Sequence, residues 1–259
     1  MHPILSPEGD AALVALLARE PLIVFDFDGT LAPIVPRHDD ARISDGVTLL
    51  LRQLAARLPV AIVTGRALAD VRSRLAFEPR FVVGNHGAED EHAQHDAQRS
   101  AAALRGLRAV LHRRAHELAE AGVLAEDKHL SIALHYRLAP EPRRALVLIN
   151  QLLEPVQDAL RIFAGKMVVN AMAMDAPDKA MAVHRLVERC GAGAAFFIGD
   201  DINDEPVFEA APEEWLTVRV GSPQAASSRA RFSLPAPEDM VTLLDHMLLL
   251  HGALPHGGH

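Results

Sequence analysis

The side chains able to do chemistry fall into two acidic clusters, each ending an apolar run. The first is Asp26 and Asp28 in the stretch 22–31, LIVFDFDGTL. Strand-end alternation points both carboxylates the same way. Carboxylates a few ångström apart repel, so the pair needs a cation, a shared proton or full solvation. A hard cation such as Mg²⁺ accepts oxygens of this type and usually bridges to a phosphate. The second cluster is Gly199-Asp200-Asp201-Ile202-Asn203-Asp204-Glu205, which follows the apolar run 194–198. So many acids beside Asp26 and Asp28 are costly unless a cation is bound. Either cluster alone also reads as a solvated turn, since Asp and Gly both favour turns. Finding the pattern twice points to a divalent-metal site.

These residues must be held by a sheet. Leu22, Ile23, Val24 and Phe25 are the kind of short run that makes a strand buried on both faces. A helix is expected from about Asp45 to Arg57, with Val47, Leu50, Leu51 and Leu54 on one side. A second buried strand, 60–63, ends in Thr64-Gly65-Arg66 before a helix over 67–75. A hydroxyl and the next glycine amide at such a strand end can cradle a phosphate oxygen, or simply cap the helix. Arg66 either reaches a substrate anion or serves as a surface charge. A third run, 81–83, ends in Gly84-Asn85-His86-Gly87, where flanking glycines suggest tight backbone presenting a polar pair. The strand and helix rhythm predicts a parallel sheet with right-handed crossovers.

The rhythm then changes. Acid, His and Gln over 89–98 mark a boundary, and a long amphipathic helix is expected from about Ala97 to Ala121. Strands near 123–127 and 130–138, a helix to about Leu153 whose start Pro140 and Pro142 frame, and strands near 159–163 and 167–171 joined through Ala164-Gly165-Lys166 make an antiparallel sheet with helices on one face. Glu126, Lys128, His135 and Arg137 are individually solvent-facing and together resemble a polar recognition face. The α/β rhythm returns with Pro177-Asp178, a helix over 179–190, the strand before Asp200, another strand over 216–220 and a helix within 237–250. The expected division is a core from 1–88 and 175–259 with 89–174 inserted. Residues 1–10 read as a loose lead-in to a helix over 11–19. Trp215 reads as core packing, and the histidine-containing tail with His251, His256 and His259 as disordered.

The constellation suggests a reaction. Metal oxygens would come from Asp26, the backbone carbonyl of Asp28 and Asp200, with Asn203 or Asp204 directly or through water. Asp26 can attack phosphorus as a nucleophile. Asp28 can protonate the leaving alkoxide and later take a proton from water. Thr64 and Lys179 would bind the phosphoryl oxygens. Lys179 otherwise reads as an ordinary surface lysine.

Bulk properties narrow the class. A chain of 259 residues, 49% apolar and 23% charged, is long enough to bury a sizeable core. Its net charge of -8 argues against a nonspecific nucleic-acid binder. The single cysteine, Cys190, permits no internal disulfide and reads as a buried small apolar residue. No apolar leader or run of 18 apolar residues is apparent, so the expectation is a cytoplasmic protein, a monomer or weak dimer, with no membrane or nucleic-acid partner.

DFDGTL, TGR at Thr64, Lys179 and GDDINDE match in order the four motifs of the haloacid dehalogenase superfamily. NHG at Asn85, with EDK at 126–128 and HYR at 135–137, resembles the trehalose-6-phosphate phosphatases within it. The resemblance implies a Rossmann-like core with an inserted α+β cap, Mg²⁺ dependence, and hydrolysis of trehalose 6-phosphate through an aspartyl-phosphate. It gives Asp26, Asp28, Thr64, Lys179 and Asp200 the roles above. It turns Glu126, Lys128, His135 and Arg137 towards the sugar, with Gly65, Arg66, Asn85, His86, Gly87 and Asn170 as further substrate contacts. One stretch departs: GKMVVNAMAMDAPDK places Asn170, Met172 and Ala173 where the family usually has a glutamate, a basic residue and proline. The alternatives are another sugar-phosphate phosphatase, a phosphomannomutase-like enzyme, or a non-catalytic sugar-phosphate-binding module.

Overall fold

The computed structural model describes residues 1–35, 37–90, 97–221 and 228–254. In chain order the elements are β1 (His2–Pro3), α1 (Pro7–Leu17), β2 (Leu22–Phe25), α2 (Asp45–Ala55), β3 (Val60–Val63), α3 (Leu68–Arg74), β4 (Phe81–Gly84) and β5 (Glu89–Asp90). Next come α4 (Ala97–Ala103), α5 (Arg105–Arg113), α6 (Ala115–Glu120), β6 (Leu124–Asp127), β7 (Ser131–His135), α7 (Pro142–Leu153), β8 (Leu160–Gly165) and β9 (Val168–Ala173). The chain continues through α8 (Lys179–Cys190), β10 (Ala195–Gly199), α9 (Glu205–Ala210), β11 (Leu216–Val220), β12 (Phe232–Leu234) and α10 (Met240–Ala253). Two compact units result, 1–87 with 178–259, and 88–177.

In the first unit the strands line up as β1-β12-β11-β10-β2-β3-β4, with every pair parallel. Each residue of β2, β3, β4 and β10 is buried, as strands covered by helices on both faces require. Local sequence starts the helices. Ser44 caps α2 by accepting from the Val47 amide, and Val47, Leu51 and Leu54 then recur on its buried side. Asp178 caps α8 by accepting from the Met181 amide, and Gly191 at φ 69° ends it. Chain order runs outward from β2 to β4 on one side and from β10 to β12 on the other. The order therefore reverses between β2 and β10, where open α/β sheets leave a crevice at the carboxyl ends of their strands.

The second unit is an antiparallel sheet in the order β6-β7-β9-β8. Ile132, Leu134, Val169 and Ala171 share one face with Leu107, Leu111 and Leu118 of α5 and α6 and with Leu148, Ile149 and Leu152 of α7. The expected mixed fold, a parallel α/β core sheet with an additional β-sheet unit, is what the chain adopts.

Several local expectations need correction. The single long helix over 97–121 is three helices, with breaks at Leu104 and Arg114. Residues 1–10 are not a loose lead-in: His2 and Pro3 pair with Phe232 and Ser233, and Ser6 starts α1 earlier than the apolar pattern suggested. The β8–β9 turn is Lys166-Met167, with Met167 at φ 63°. Cys190 is half-buried at the end of α8 rather than enclosed. Trp215 is buried in the core of the first unit. His251 lies in α10, whereas His256 and His259 fall outside the described residues. Among the described residues no helix is long and apolar enough to cross a membrane.

Candidate active site

The adjacent strands β2 and β10 end in Asp26 and Asp200, and their register continues as Asp26 N–H donates to the Ile198 carbonyl at 2.9 Å. Oxygens of Asp26, Asp200 and Asp204 lie within 4.8 Å of one another, and all three residues are buried. Lys179, first residue of α8, projects back over its own helix start, as helical side chains lean. Its Nζ donates to Asp26 Oδ1 at 2.8 Å and to Asp204 Oδ1 at 2.6 Å. The surface-lysine reading is overturned, because Lys179 is 2% exposed.

Charge in this cluster does not balance. Three carboxylates face one ammonium, which leaves two negative charges out of water if all are ionised. Burial, together with Asp204 and Asp200, pushes the Asp26 carboxyl well above the usual carboxylate range despite the attraction of Lys179. Burial alone would lower the pKa of Lys179, but Asp204 and Asp26 drive it up. A divalent cation would cancel the excess.

The surrounding atoms fit such an ion. Asn203 Oδ1 is buried and has no hydrogen-bond partner among the described residues. All the candidate donors are hard oxygens, the set suited to Mg²⁺. Asp204 also acts on the backbone. Its Oδ2 accepts from the Asp200 and Asp201 amides, both at 3.0 Å, and so fixes the loop that presents Asp200. Gly29, at φ +80°, leaves room for the Asp200 carboxylate, since a Cβ there would come 2.0 Å from Asp200 Oδ2. Gly29→Ala is therefore expected to displace Asp200 and weaken divalent-metal binding at least about tenfold. Calorimetric titration with Mg²⁺ checks this, and unchanged affinity would remove Asp200 from the ion's shell.

β3 and β4 bring the remaining motifs to the same sheet edge. Thr64 is fully buried, and its Oγ1 accepts from the Arg66 amide at 3.2 Å. It does not cap α3, whose N-cap is Ala67 without a side-chain hydrogen bond. Asn85 N–H donates to the Arg66 carbonyl and His86 N–H to that of Thr64, at 2.7 and 2.9 Å. Asn85 and His86 both hold left-handed backbone, at φ 47° and 57°. The His86 ring lies on Gly65, where a Cβ would meet His86 Cε1 at 2.4 Å. Gly87 likewise abuts the Asp178 carbonyl at the start of α8.

Arg66 is not a surface charge: it is 4% exposed. Its Nε and Nη2 donate to the two oxygens of Asp28, both at 2.7 Å, and its Nη1 donates to Asp70 Oδ2 at 2.8 Å. Asp70 and Arg74 escaped the motif reading, although Arg66, Asp70 and Arg74 recur at the i, i+4 spacing that pairs charges along a helix.

The second unit carries its own polar cluster on the sheet face opposite its core. Glu126 Oε2 lies 2.9 Å from His135 Nε2 and 3.5 Å from Lys128 Nζ. Register sets Glu126, Ala133, Asn170 and Phe163 in one row across the four strands. This face is not simply solvated, since Ser131, Ala133, Asn170 and Met172 are all buried. Arg137 stands beyond β7 and donates to the Lys166 carbonyl at 3.0 Å.

Comparison with known proteins places this arrangement. A trehalose-phosphatase family model matches residues 24–237. Trehalose-phosphate phosphatase of Mycobacterium avium (strain 104) is 37% identical over 217 residues, covering 79% of this chain and 56% of that protein. The Mycobacterium tuberculosis (strain ATCC 25618 / H37Rv) trehalose-phosphate phosphatase is 32% identical over 249 residues, covering 90% of this chain and 62% of that protein. The chain thus spans little more than half the length of these relatives. The C-terminal domain of C. albicans trehalose-6-phosphate phosphatase shares the fold, with a TM-score of 0.79 at 20% identity and coverage of 98% and 99%. The matched span runs from β2 past β12 and includes both acidic clusters, Thr64 and Lys179: the chain belongs to the trehalose-phosphatase family.

Proposed function

We propose that the chain is a Mg²⁺-dependent phosphomonoesterase that hydrolyses trehalose 6-phosphate to trehalose and phosphate. The observation that carries this reading is the convergence of Asp26, Asp200, Asp204 and Lys179 into one buried cluster with excess negative charge. Asp26, Asp200, Asn203 Oδ1 and the Asp28 carbonyl would hold the ion, with Asp204 beside them bracing the loop. When bound, Mg²⁺ neutralises the cluster and draws electron density from the phosphoryl oxygens.

The chain's own residues supply the rest. An Asp26 carboxylate oxygen attacks phosphorus while the ester P–O bond breaks, and the Asp28 carboxyl gives its proton to the departing sugar oxygen. Asp28 then takes a proton from water as that water attacks phosphorus, releasing phosphate and restoring Asp26. Thr64 and the Gly65 amide bind phosphoryl oxygens, and Lys179 offsets their charge. Asn85, His86 and Gly87 shape the wall beside Thr64. In the second unit Glu126, Lys128, His135, Arg137 and Asn170 are assigned to the sugar hydroxyls.

A second reading, a phosphatase for a different phosphorylated sugar, is favoured by one feature. Asn170, Met172 and Ala173 are buried where the resemblance leads one to expect a carboxylate and a base. Sites built to hydrogen-bond particular hydroxyls discriminate strongly against analogues that leave those bonds unmade. Phosphate release from trehalose 6-phosphate, glucose 6-phosphate and mannose 6-phosphate, with Mg²⁺ or with EDTA, separates the readings. The expected result is kcat/KM for trehalose 6-phosphate at least about tenfold above the monosaccharides, and none of the three turned over in EDTA. A higher value for a monosaccharide phosphate would replace the substrate. Release from none would contradict a phosphatase, and phosphate retained on an isomerised sugar would mark a mutase.

A further inference from the structure

The Asp28 side chain is about a third exposed and stands on a loop, yet both its oxygens are taken by a single buried guanidinium. That guanidinium is held by further contacts. Its carbon lies 5.2 Å from the centroid of the Phe27 ring, and Nη1 is held by Asp70. Asp70 accepts in turn from Nε and Nη2 of Arg74 at 2.9 and 2.6 Å, and Arg74 Nη1 donates to the Asp39 carbonyl at 2.7 Å. Burial disfavours the Asp70 carboxylate, but the hydrogen bonds from Arg74 and Arg66 hold its pKa below the usual range.

We propose that Arg66 is a positioning residue for Asp28, setting the plane and reach of the carboxyl group that exchanges protons with the leaving sugar oxygen. This rests on the phosphatase reading and names a device within it. The Asp28 and Asp70 side chains are matched by Arg66 and Arg74, with the exposed Asp39 carboxylate a further 3.4 Å from Arg74 Nη2, so both buried guanidiniums are answered by carboxylates and in these bonds neither is paired to the Asp26, Asp200 and Asp204 side chains. A fork of two parallel N–H···O bonds sets the orientation of a carboxylate as well as its position. Lysine, a point charge on a flexible stem, cannot grip both oxygens. Three of the five Arg66 N–H groups are engaged by Asp28 and Asp70, so the proposed contribution of Arg66 to rate is the one that passes through Asp28.

Leaving-group dependence tests this. A sugar alkoxide needs a proton as it departs, whereas p-nitrophenolate leaves without one. kcat/KM reports only steps up to the first irreversible one, the transfer to Asp26. It is measured with Mg²⁺ for p-nitrophenyl phosphate and for the best sugar phosphate of the panel above, on wild type, Arg66→Lys and Arg66→Gln. The expected result is a loss on the sugar phosphate about 10- to 100-fold greater than the loss on p-nitrophenyl phosphate. Equal losses on both substrates would show a merely structural role, and no loss on the sugar phosphate would show no role; either overturns the inference. Arg66→Lys keeps a cation between Asp28 and Asp70, so its ratio decides should Arg66→Gln not fold. If wild type turns over neither substrate, the phosphatase reading fails and takes this inference with it.

Discussion

Asp26→Asn is expected to lower turnover of the sugar phosphate by at least about 10⁴-fold while making the metal-free protein more stable. The first effect follows from the nucleophile's role, because a carboxamide oxygen is far too weak to form the covalent intermediate. The second follows from the electrostatics of the cluster. Burial and two neighbouring carboxylates hold the Asp26 pKa well above the usual range, so the folded chain binds this proton more tightly than the unfolded chain does. Ionisation of Asp26 therefore destabilises the fold as pH rises above the unfolded carboxyl value of about 3.9. A neutral isostere removes that cost, and Lys179 keeps Asp204 as its partner. The gain in Tm over wild type, measured in EDTA, should be absent near pH 3 and grow towards neutrality. A variant less stable than wild type at pH 7 would show that Lys179 outweighs burial and repulsion at this position.

Lys179→Met is expected to have the opposite effect on stability. It leaves Asp26, Asp200 and Asp204 buried together without the ammonium that bridges two of them. Breaking a buried pair by removing one partner costs about 3–5 kcal/mol, since the stranded charges stay out of water. Urea unfolding in EDTA checks the figure, and added Mg²⁺ should recover part of the loss by binding the folded state alone. Turnover should fall by about 10²- to 10³-fold even with Mg²⁺ present, for want of the cation beside the phosphoryl oxygens. Unchanged stability in EDTA would mean either that the carboxylates are already protonated, as burial favours, or that they are solvated, contrary to their burial.

The legible parts of the chain were those where a local rule coincides with a tertiary role. Residues 22–25 and 60–63 are unbroken apolar runs because β2 and β3 are covered on both faces, and each run ends where the site begins. Asp178 and the apolar spacing after it set the bounds of α8, and with them the place of Lys179. What escaped depended on partners distant in sequence. His2 and Pro3 form a strand only because Phe232 and Ser233 lie beside them. The break at Leu104 lies inside an apolar pattern that continues the helical period, and Gly106 just after it is a weak local sign.

The site divides in the same way. Residue types and order named the carboxylates and the lysine, but not which oxygen each would engage. Arg66 is the clearest case. Its place in the chain allowed an anion contact or a solvated charge, and only the fold brings Asp28, 38 positions away, onto its guanidinium. Spacing did hold the other half of that network, since Asp70 and Arg74 follow Arg66 at successive turns. Ser131 and Asn170 alternate in the sequence like residues of a wetted face, yet both are buried.

The central claim, that Asp26 takes the phosphoryl group from a phosphorylated sugar, can be read from the covalent state of one residue. Protein turning over the best sugar phosphate with Mg²⁺ is acid-quenched during the steady state, reduced with borohydride and digested for mass spectrometry. An acyl phosphate is reduced to the alcohol, so the account predicts homoserine at position 26 in place of aspartate, dependent on both substrate and Mg²⁺. Steady release of phosphate with Asp26 unmodified, and homoserine instead at Asp28 or Asp200, would contradict it.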